Sequence, residues 1–292
     1  MNLPLLAVRE IVERALAEDL GWGDLTTGAL IPADARATAR AVLKERGVVC
    51  GVGVMALVFR TVDPAVRVEA LVPDGRWAEA GAPIARVQGN AAGILSAERV
   101  ALNFVQRLSG IATATARYVA AAGGRQVRLV ETRKTTPGLR LLEKYAVRVG
   151  GGANHRQNLS DGVLIKDNHL AVLRAHGIGL AEAVARARAN VPHSVKVEVE
   201  VETLAELREA LAAGADVVLL DNMDVATMRA AVAETAGRAL LEASGGITLE
   251  TVGAVAATGV DIISVGALTH SVRALDISLE IEPSEPGAQS AE

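Results

Sequence analysis

Three acidic residues at regular spacing constrain this chain more than any other feature. Glu200, Asp221 and Glu242 each close a short β-like run, and Ser264 closes the next, at intervals of 21, 21 and 22 residues. A short strand, a three-turn helix and two loops need about that length, so the spacing reads as a βα repeat. Such a repeat implies a parallel sheet with helices outside it. The predicted strands are 127–131, 163–166, 195–201, 217–220, 239–243 and 261–265. Helical patterns alternate with them at 180–189, 203–213, 225–235 and 249–257. With six or seven strands, a barrel or partly open barrel fits better than an open doubly wound sheet. No Gly-x-Gly-x-x-Gly follows the first strand, which argues against a dinucleotide site.

The first hundred residues read differently. Leu5, Val8, Ile11, Val12, Ala15 and Leu16 recur at helical spacing. Short β-like runs follow at 37–43, 48–54, 66–72 and 82–88, with Pro73-Asp74-Gly75 as a turn. Ser96 is placed to cap a helix over 97–108. Ser109-Gly110 is expected to kink or break it before 111–122 continues. The sequence therefore predicts an N-terminal α/β domain over 1–110, joined by 271–292, and a barrel over 111–270. The polar stretch 282–292 is expected to fray.

Composition removes several function classes. Net charge is −4 and aromatic residues are 2% of the chain, whereas a nucleic-acid surface calls for a basic balance and stacking rings. Cys50 is the single cysteine, so neither an intrachain disulfide nor a cysteine-based zinc site is available. The longest apolar run, 47–59, has thirteen residues, too few to span a bilayer. The acidic start does not resemble a secretory signal. These features point to a cytoplasmic protein with no membrane or nucleic-acid partner.

In parallel βα barrels the chemistry stands at the C-terminal ends of the strands. Read in order, those positions hold Arg133, Lys134 and Thr135, then Lys166 with His169, then Glu200, then Asp221. Ser244, Gly245 and Gly246 follow, and then Val265, Gly266 and Ala267. The last two groups are small turns whose backbone N–H groups suit a phosphate. The stretch 133–156 carries six Lys and Arg against one acid, a local +5 in a chain of −4, and so points to a polyanionic substrate. Within it, Arg133, Lys134, His155 and Arg156 flank loops, whereas Arg148 reads as part of a solvated helix stripe with Arg140 and Lys144. Lys196, Glu198, Glu200 and Glu202 alternate with valines, so the charges face the barrel interior. Glu200 and Asp221 are candidates for Mg²⁺ or for ribose hydroxyls. Glu198 is expected to pair with Lys196. His176, His193 and His270 read as surface or loop residues.

A family resemblance rests on an ordered set of motifs running from about residue 10 to 281. They are Glu18-Asp-Leu-Gly-Trp-Gly-Asp-Leu-Thr-Thr, Arg107-Leu-Ser-Gly-Ile-Ala-Thr, Glu131-Thr-Arg-Lys-Thr-Thr-Pro-Gly-Leu-Arg and Gly150-Gly-Gly-Ala-Asn-His-Arg. Leu164-Ile-Lys-Asp-Asn-His, Val197-Glu-Val-Glu, Leu219-Leu-Asp-Asn-Met and Glu242-Ala-Ser-Gly-Gly-Ile-Thr continue it. Together they resemble the quinolinate phosphoribosyltransferases. The resemblance implies an N-terminal α/β sandwich plus a partly open α/β barrel. It implies transfer of phosphoribosyl from phosphoribosyl pyrophosphate to quinolinate with Mg²⁺, yielding nicotinate mononucleotide, pyrophosphate and CO₂. Carried over by motif, Lys134, Lys166, Glu200 and Asp221 would be catalytic. Arg133, Lys134, Thr135, His155, Arg156 and Lys166 would bind quinolinate and pyrophosphate. Glu200 and Asp221 would hold ribose and metal, directly or through the substrate. Ser244, Gly245, Gly246, Val265, Gly266 and Ala267 would hold the 5′-phosphate. Arg107 would reach the quinolinate of a neighbouring subunit, implying at least a homodimer. Two other functions fit the residues less fully: a Schiff-base aldolase using Lys166, and a non-catalytic anion-binding or metal-transport accessory on the same fold.

Overall fold

The structure is a computed structural model that describes residues 3–124 and 126–283. Along the chain the strands are β1 (Arg36–Leu43), β2 (Gly47–Val48), β3 (Arg67–Ala70), β4 (Trp77–Ala78), β5 (Pro83–Asn90), β6 (Arg128–Val130), β7 (Val163–Ile165), β8 (Val197–Val201), β9 (Val217–Asp221), β10 (Leu240–Ser244), β11 (Ile262–Ser264) and β12 (Ile277–Pro283). Two compact units emerge. One takes the described residues up to 116, then 136–151 and 272–283; the other takes 117–135 and 152–271. Among the described residues no helix is long and apolar enough to cross a membrane.

In the first unit an antiparallel sheet runs in the order β12-β1-β5-β3, and β2 pairs separately with β4. The helix Leu5–Leu20 buries Val8, Val12 and Leu16, one residue per turn, and leaves Leu5 exposed. The apolar run 47–59 is a strand only over Gly47–Val48 and turns into the helix Val52–Val62, not the strand expected to residue 54. A short apolar run carries no period, so strand and buried helix look alike in it. The turn is made by Gly51 at φ +97, and the Asp74 carboxylate accepts from the N–H groups of Gly51 (2.8 Å) and Val52 (3.3 Å). Asp74 also accepts from the Tyr145 hydroxyl at 2.8 Å.

The helix expected from residue 97 begins six residues earlier and does not break. Ala91–Ala121 is one helix of 31 residues, and Asn90 Oδ1 accepts from Gly93 N–H at its start. Ser96 lies inside it and donates to Asp24. Ser109 and Gly110 serve packing instead of bending. The Ser109 hydroxyl accepts from Cys50 N–H (2.9 Å) and donates to Cys50 carbonyl (3.1 Å). A Cβ on Gly110 would stand 2.3 Å from the Arg273 carbonyl oxygen. The residues of the expected frayed tail fall outside the described residues from 284 on, whereas Glu282 belongs to β12.

The second unit is the predicted parallel barrel. Its six strands run in the order β6-β11-β10-β9-β8-β7, and every pair is parallel. The first and last strands of the repeat pair with each other, and the gap lies between β6 and β7, so the barrel is partly open. Residues paired across parallel strands share a face. Leu164, Glu198, Leu219, Glu242 and Ile262 thus share one face, with Glu198 paired to Val217 and Leu219 paired to Glu200. Two residues onward the same face carries Lys166, Glu200, Asp221, Ser244 and Ser264. The opposite face holds Ile165, Val199, Val218, Leu220, Leu241, Ala243 and Ile263, all buried.

Gly110→Ala is expected to destabilise the protein by about 1–3 kcal/mol, because a backbone carbonyl blocks the added methyl. A melting temperature unchanged from wild type would show that the two segments can separate freely.

Candidate active site

The mouth of the barrel is built from strand ends and the loops that follow them. Lys166 follows β7, and its Nζ forms an ion pair with Glu200 Oε2 on the next strand. The Lys166 N–H donates to His169 Nδ1 at 3.0 Å, so His169 closes a capping box at the start of the helix Asp167–Ala175. Lys166 keeps 43% of its side chain exposed, whereas Glu200 keeps 11%. The ammonium therefore sits at the rim above a carboxylate that is mostly, not fully, covered.

Asp221 ends β9 and accepts from Asn222 Nδ2 at 2.7 Å. Asn222 is left-handed at φ +53, and its N–H donates to the Ser244 carbonyl at 2.9 Å. Gly245 follows at φ +94, where a Cβ would meet Asn222 Oδ1 at 2.2 Å. One asparagine thus ties the acidic tip of β9 to the glycine turn of β10. On the next strand Val265 N–H donates to Val130 carbonyl, which joins β11 to β6. A Cβ on Gly266 would crowd the Lys134 side chain at 3.3 Å and the His270 ring at 3.1 Å. The Thr269 hydroxyl donates to the Lys134 carbonyl at 2.8 Å, in the short helix Ala267–His270. The Gly266 turn and the Lys134 loop are therefore neighbours. Arg133 and Thr135 lie in that loop, where Thr135 N–H donates to Arg133 carbonyl at 3.0 Å.

His155 and Arg156 sit over the deeper level of the inner face. His155 Nδ1 accepts from Arg156 N–H at 2.7 Å, which leaves the ring proton on Nε2. That Nε2 faces Glu242 Oε2 at 3.4 Å and Glu198 Oε2 at 3.7 Å. Glu131, fully buried, accepts from His155 N–H (3.2 Å) and Asn154 Nδ2 (2.9 Å). Burial and the neighbouring Glu242 push the Glu198 carboxyl up to about 8, against the pull of His155 and Arg156. Burial and the nearby Arg133 lower the Arg156 guanidinium, and Glu198 and Glu242 oppose that. Arg156 also donates to the Gly162 carbonyl at 3.1 Å.

Glu198 does not pair with Lys196. Lys196 is exposed and precedes the first residue of β8, whereas Glu198 turns inward to His155 and Glu242. Glu131, Glu242, Asn154 and Asn222 were absent from the predicted site. The signal for Glu242 was present: it occupies the same repeat position as Glu200 and Asp221. Lys144 is buried, and Arg148 is exposed as expected. Arg107 lies in the first unit and donates to the buried Glu143 from Nε (3.1 Å) and Nη2 (2.8 Å), and to Val272 carbonyl from Nη1 (3.0 Å). Among the described residues, the three metal-ligating groups that lie within 4.8 Å of one another are those of His155, Glu198 and Glu242.

A parallel barrel with cations, acids and glycine turns at one mouth defines an α/β-barrel enzyme for anionic substrates. Its family follows from two matches. Residues 24–109 match the quinolinate phosphoribosyl transferase N-terminal domain, and residues 111–280 match the C-terminal domain. The chain belongs to the quinolinate phosphoribosyltransferase family. It is 45% identical over 276 residues to a probable nicotinate-nucleotide pyrophosphorylase (carboxylating) of Bacillus subtilis, covering 94% of each chain. It is 45% identical over 296 residues to the mitochondrial quinolinate phosphoribosyltransferase (decarboxylating) 2 of Nicotiana glauca, covering 96% of this chain and 83% of that one. The solved nicotinate-nucleotide pyrophosphorylase of Francisella tularensis superposes with a TM-score of 0.89 at 41% identity, covering 96% and 98% of the two chains.

Gly245→Ala is expected to cost roughly 1–3 kcal/mol through the Asn222 clash and the left-handed backbone. Adding Asn222→Gly is expected to return part of it, with a coupling of about 0.5 kcal/mol or more in a double-mutant cycle of melting temperatures. Strict additivity would mean that the two residues do not constrain each other.

Proposed function

We infer that this protein transfers the phosphoribosyl group of phosphoribosyl pyrophosphate to quinolinate, releasing pyrophosphate and CO₂ and leaving nicotinate mononucleotide. The observation that carries the reading is the single inner face on which Lys166, Glu200, Asp221 and Ser244 stand at successive strand tips. We read it as a cytoplasmic enzyme of NAD synthesis. Arg133, Thr135, His155, Arg156 and Lys166 receive the two carboxylates of quinolinate. Lys134 and Lys166 stabilise the departing pyrophosphate, whose charge grows as the bond to ribose breaks. Glu200 and Asp221 face the ribose, where positive charge develops, and hold its hydroxyls. Ser244, Gly245 and Gly246, with Val265, Gly266 and Ala267, offer backbone N–H groups to the 5′-phosphate. The quinolinate nitrogen attacks the ribose carbon. The ring that results carries a positive charge and accepts the electron pair of the departing carboxylate, so no covalent enzyme nucleophile is needed.

Hard carboxylate oxygens suit Mg²⁺. Glu200 has one oxygen engaged by Lys166 and Asp221 has one engaged by Asn222. That donor set fits a metal held through the other oxygen of each, with substrate completing the shell. Bound Mg²⁺ would neutralise charge on the pyrophosphate. The aldolase alternative asks for a lysine amine poised to attack a carbonyl, but the Lys166 ammonium is engaged by Glu200. We read the working assembly as a homodimer, with Arg107 acting at the quinolinate of the partner subunit.

Arg133→Ala and Lys134→Ala are each expected to lower turnover about tenfold or more, since a charge-assisted contact contributes roughly 1.5–3 kcal/mol. Pyrophosphate release from the two substrates with Mg²⁺ measures this, and near-normal rates in both variants would remove them from the site. For the dimer, inactive Arg107→Ala and Lys166→Ala chains are refolded together. Random mixing is expected to restore roughly a quarter of wild-type sites, because one site of each mixed dimer escapes both defects. Mixed dimers without activity would place Arg107 within its own chain.

A further inference from the structure

Three buried carboxylates surround one dipeptide. Glu131 holds the backbone N–H of His155, while Glu198 and Glu242 face its ring from the barrel floor. Glu198 is 8% exposed and Glu242 is 2% exposed. One oxygen of each, Oε1, has no hydrogen-bond partner among the described residues. Two buried carboxyls in that state lose hydration that nothing in the fold returns, so the fold is weakened by keeping both. The fold does not require acids at this level: on the same face the neighbouring positions hold Leu164, Leu219 and Ile262. What the acids touch explains them better. The ring proton of His155 points at both, and Arg156 lies within electrostatic reach of both.

We propose that Glu198 and Glu242 are positioning residues for quinolinate, fixing the His155 ring and the Arg156 guanidinium in the orientation that receives its carboxylates. They act from below His155 and Arg156 and do not touch the substrate. The inference rests on the function proposed above. Its reach is selective, because phosphoribosyl pyrophosphate is held at the strand tips, by Glu200, Asp221 and the glycine turns.

The isosteric variants Glu198→Gln and Glu242→Gln separate this role from a structural one. Since both acids face the same His155 ring proton, replacing one leaves that proton facing the other and relieves the crowding of two buried acids. Each variant is therefore expected to melt at or above the wild-type temperature. The KM for quinolinate is expected to rise by about tenfold, the size of one lost buried hydrogen bond. The KM for phosphoribosyl pyrophosphate is expected to stay within about twofold, because its contacts lie elsewhere in the site. Full-length wild-type protein is assayed first. If it does not turn over quinolinate, the proposed function fails and this inference falls with it. If wild type turns over and both variants keep its KM for quinolinate, the inference alone is overturned. It is equally overturned if both variants lose melting temperature and both substrates together, or fail to fold, since that is the signature of a structural role.

Discussion

Parallel pairing in register commits every second residue of a strand to the barrel interior, and the site follows from that commitment. The valines of β8 face outward into the apolar layer, so Glu198 and Glu200 have nowhere to go but in. The same parity carries Asp221, Glu242 and Ser244 to that face on the next two strands. An interior lined by carboxylates needs cations. Lys166 supplies one from the adjoining strand end, and Arg156 supplies another from the loop that carries His155. The charge pattern of the mouth is thus a consequence of strand register before it is a device for binding.

Two levels of the interior differ in exposure and so in chemistry. At the tips, Lys166 and Asp221 are partly open to solvent, and their partners are single and direct. One level down, Glu198 and Glu242 are buried around an imidazole, and burial with the neighbouring Glu242 pushes the Glu198 carboxyl up to about 8. The upper level can exchange partners for a substrate at small cost. The lower level cannot, and its geometry is correspondingly fixed. Between them, the left-handed Asn222 and Gly245 concentrate backbone strain at the junction of the acidic tip and the glycine turn.

The barrel was legible because its signal is periodic. Strand ends at Glu200, Asp221 and Glu242 repeat at βα length, and the alternation of valine with charge reveals which residues face inward. What parity does not reveal is the partner. Lys196 shares a face with Glu198 by counting, but it lies before the strand begins, and the true neighbours come from 43 to 44 residues away in either direction, at His155 and Glu242. Local ambiguity misled elsewhere. Ser109-Gly110 carries the composition of a helix break, yet its small side chains admit the backbones of Cys50 and Arg273 beside an unbroken helix. The apolar run at 47–59 has no period, so its change from strand to helix at Gly51 was hidden.

The sheet order of the first unit has a consequence for how the chain is made. β1 lies between β5 and β12, and Ala41 pairs with Leu279, so the sheet needs a strand translated long after the other three. The unit also takes in 136–151, which leaves the barrel repeat after β6 and returns before β7. During synthesis, which adds roughly 5–20 residues each second, the whole barrel emerges before β12 does. Through that interval one edge of β1 stands without its strand, open to pairing with a foreign chain. The barrel, with its neighbour-to-neighbour connections, can close while the ribosome is still working; the older half of the polypeptide is the one that must wait.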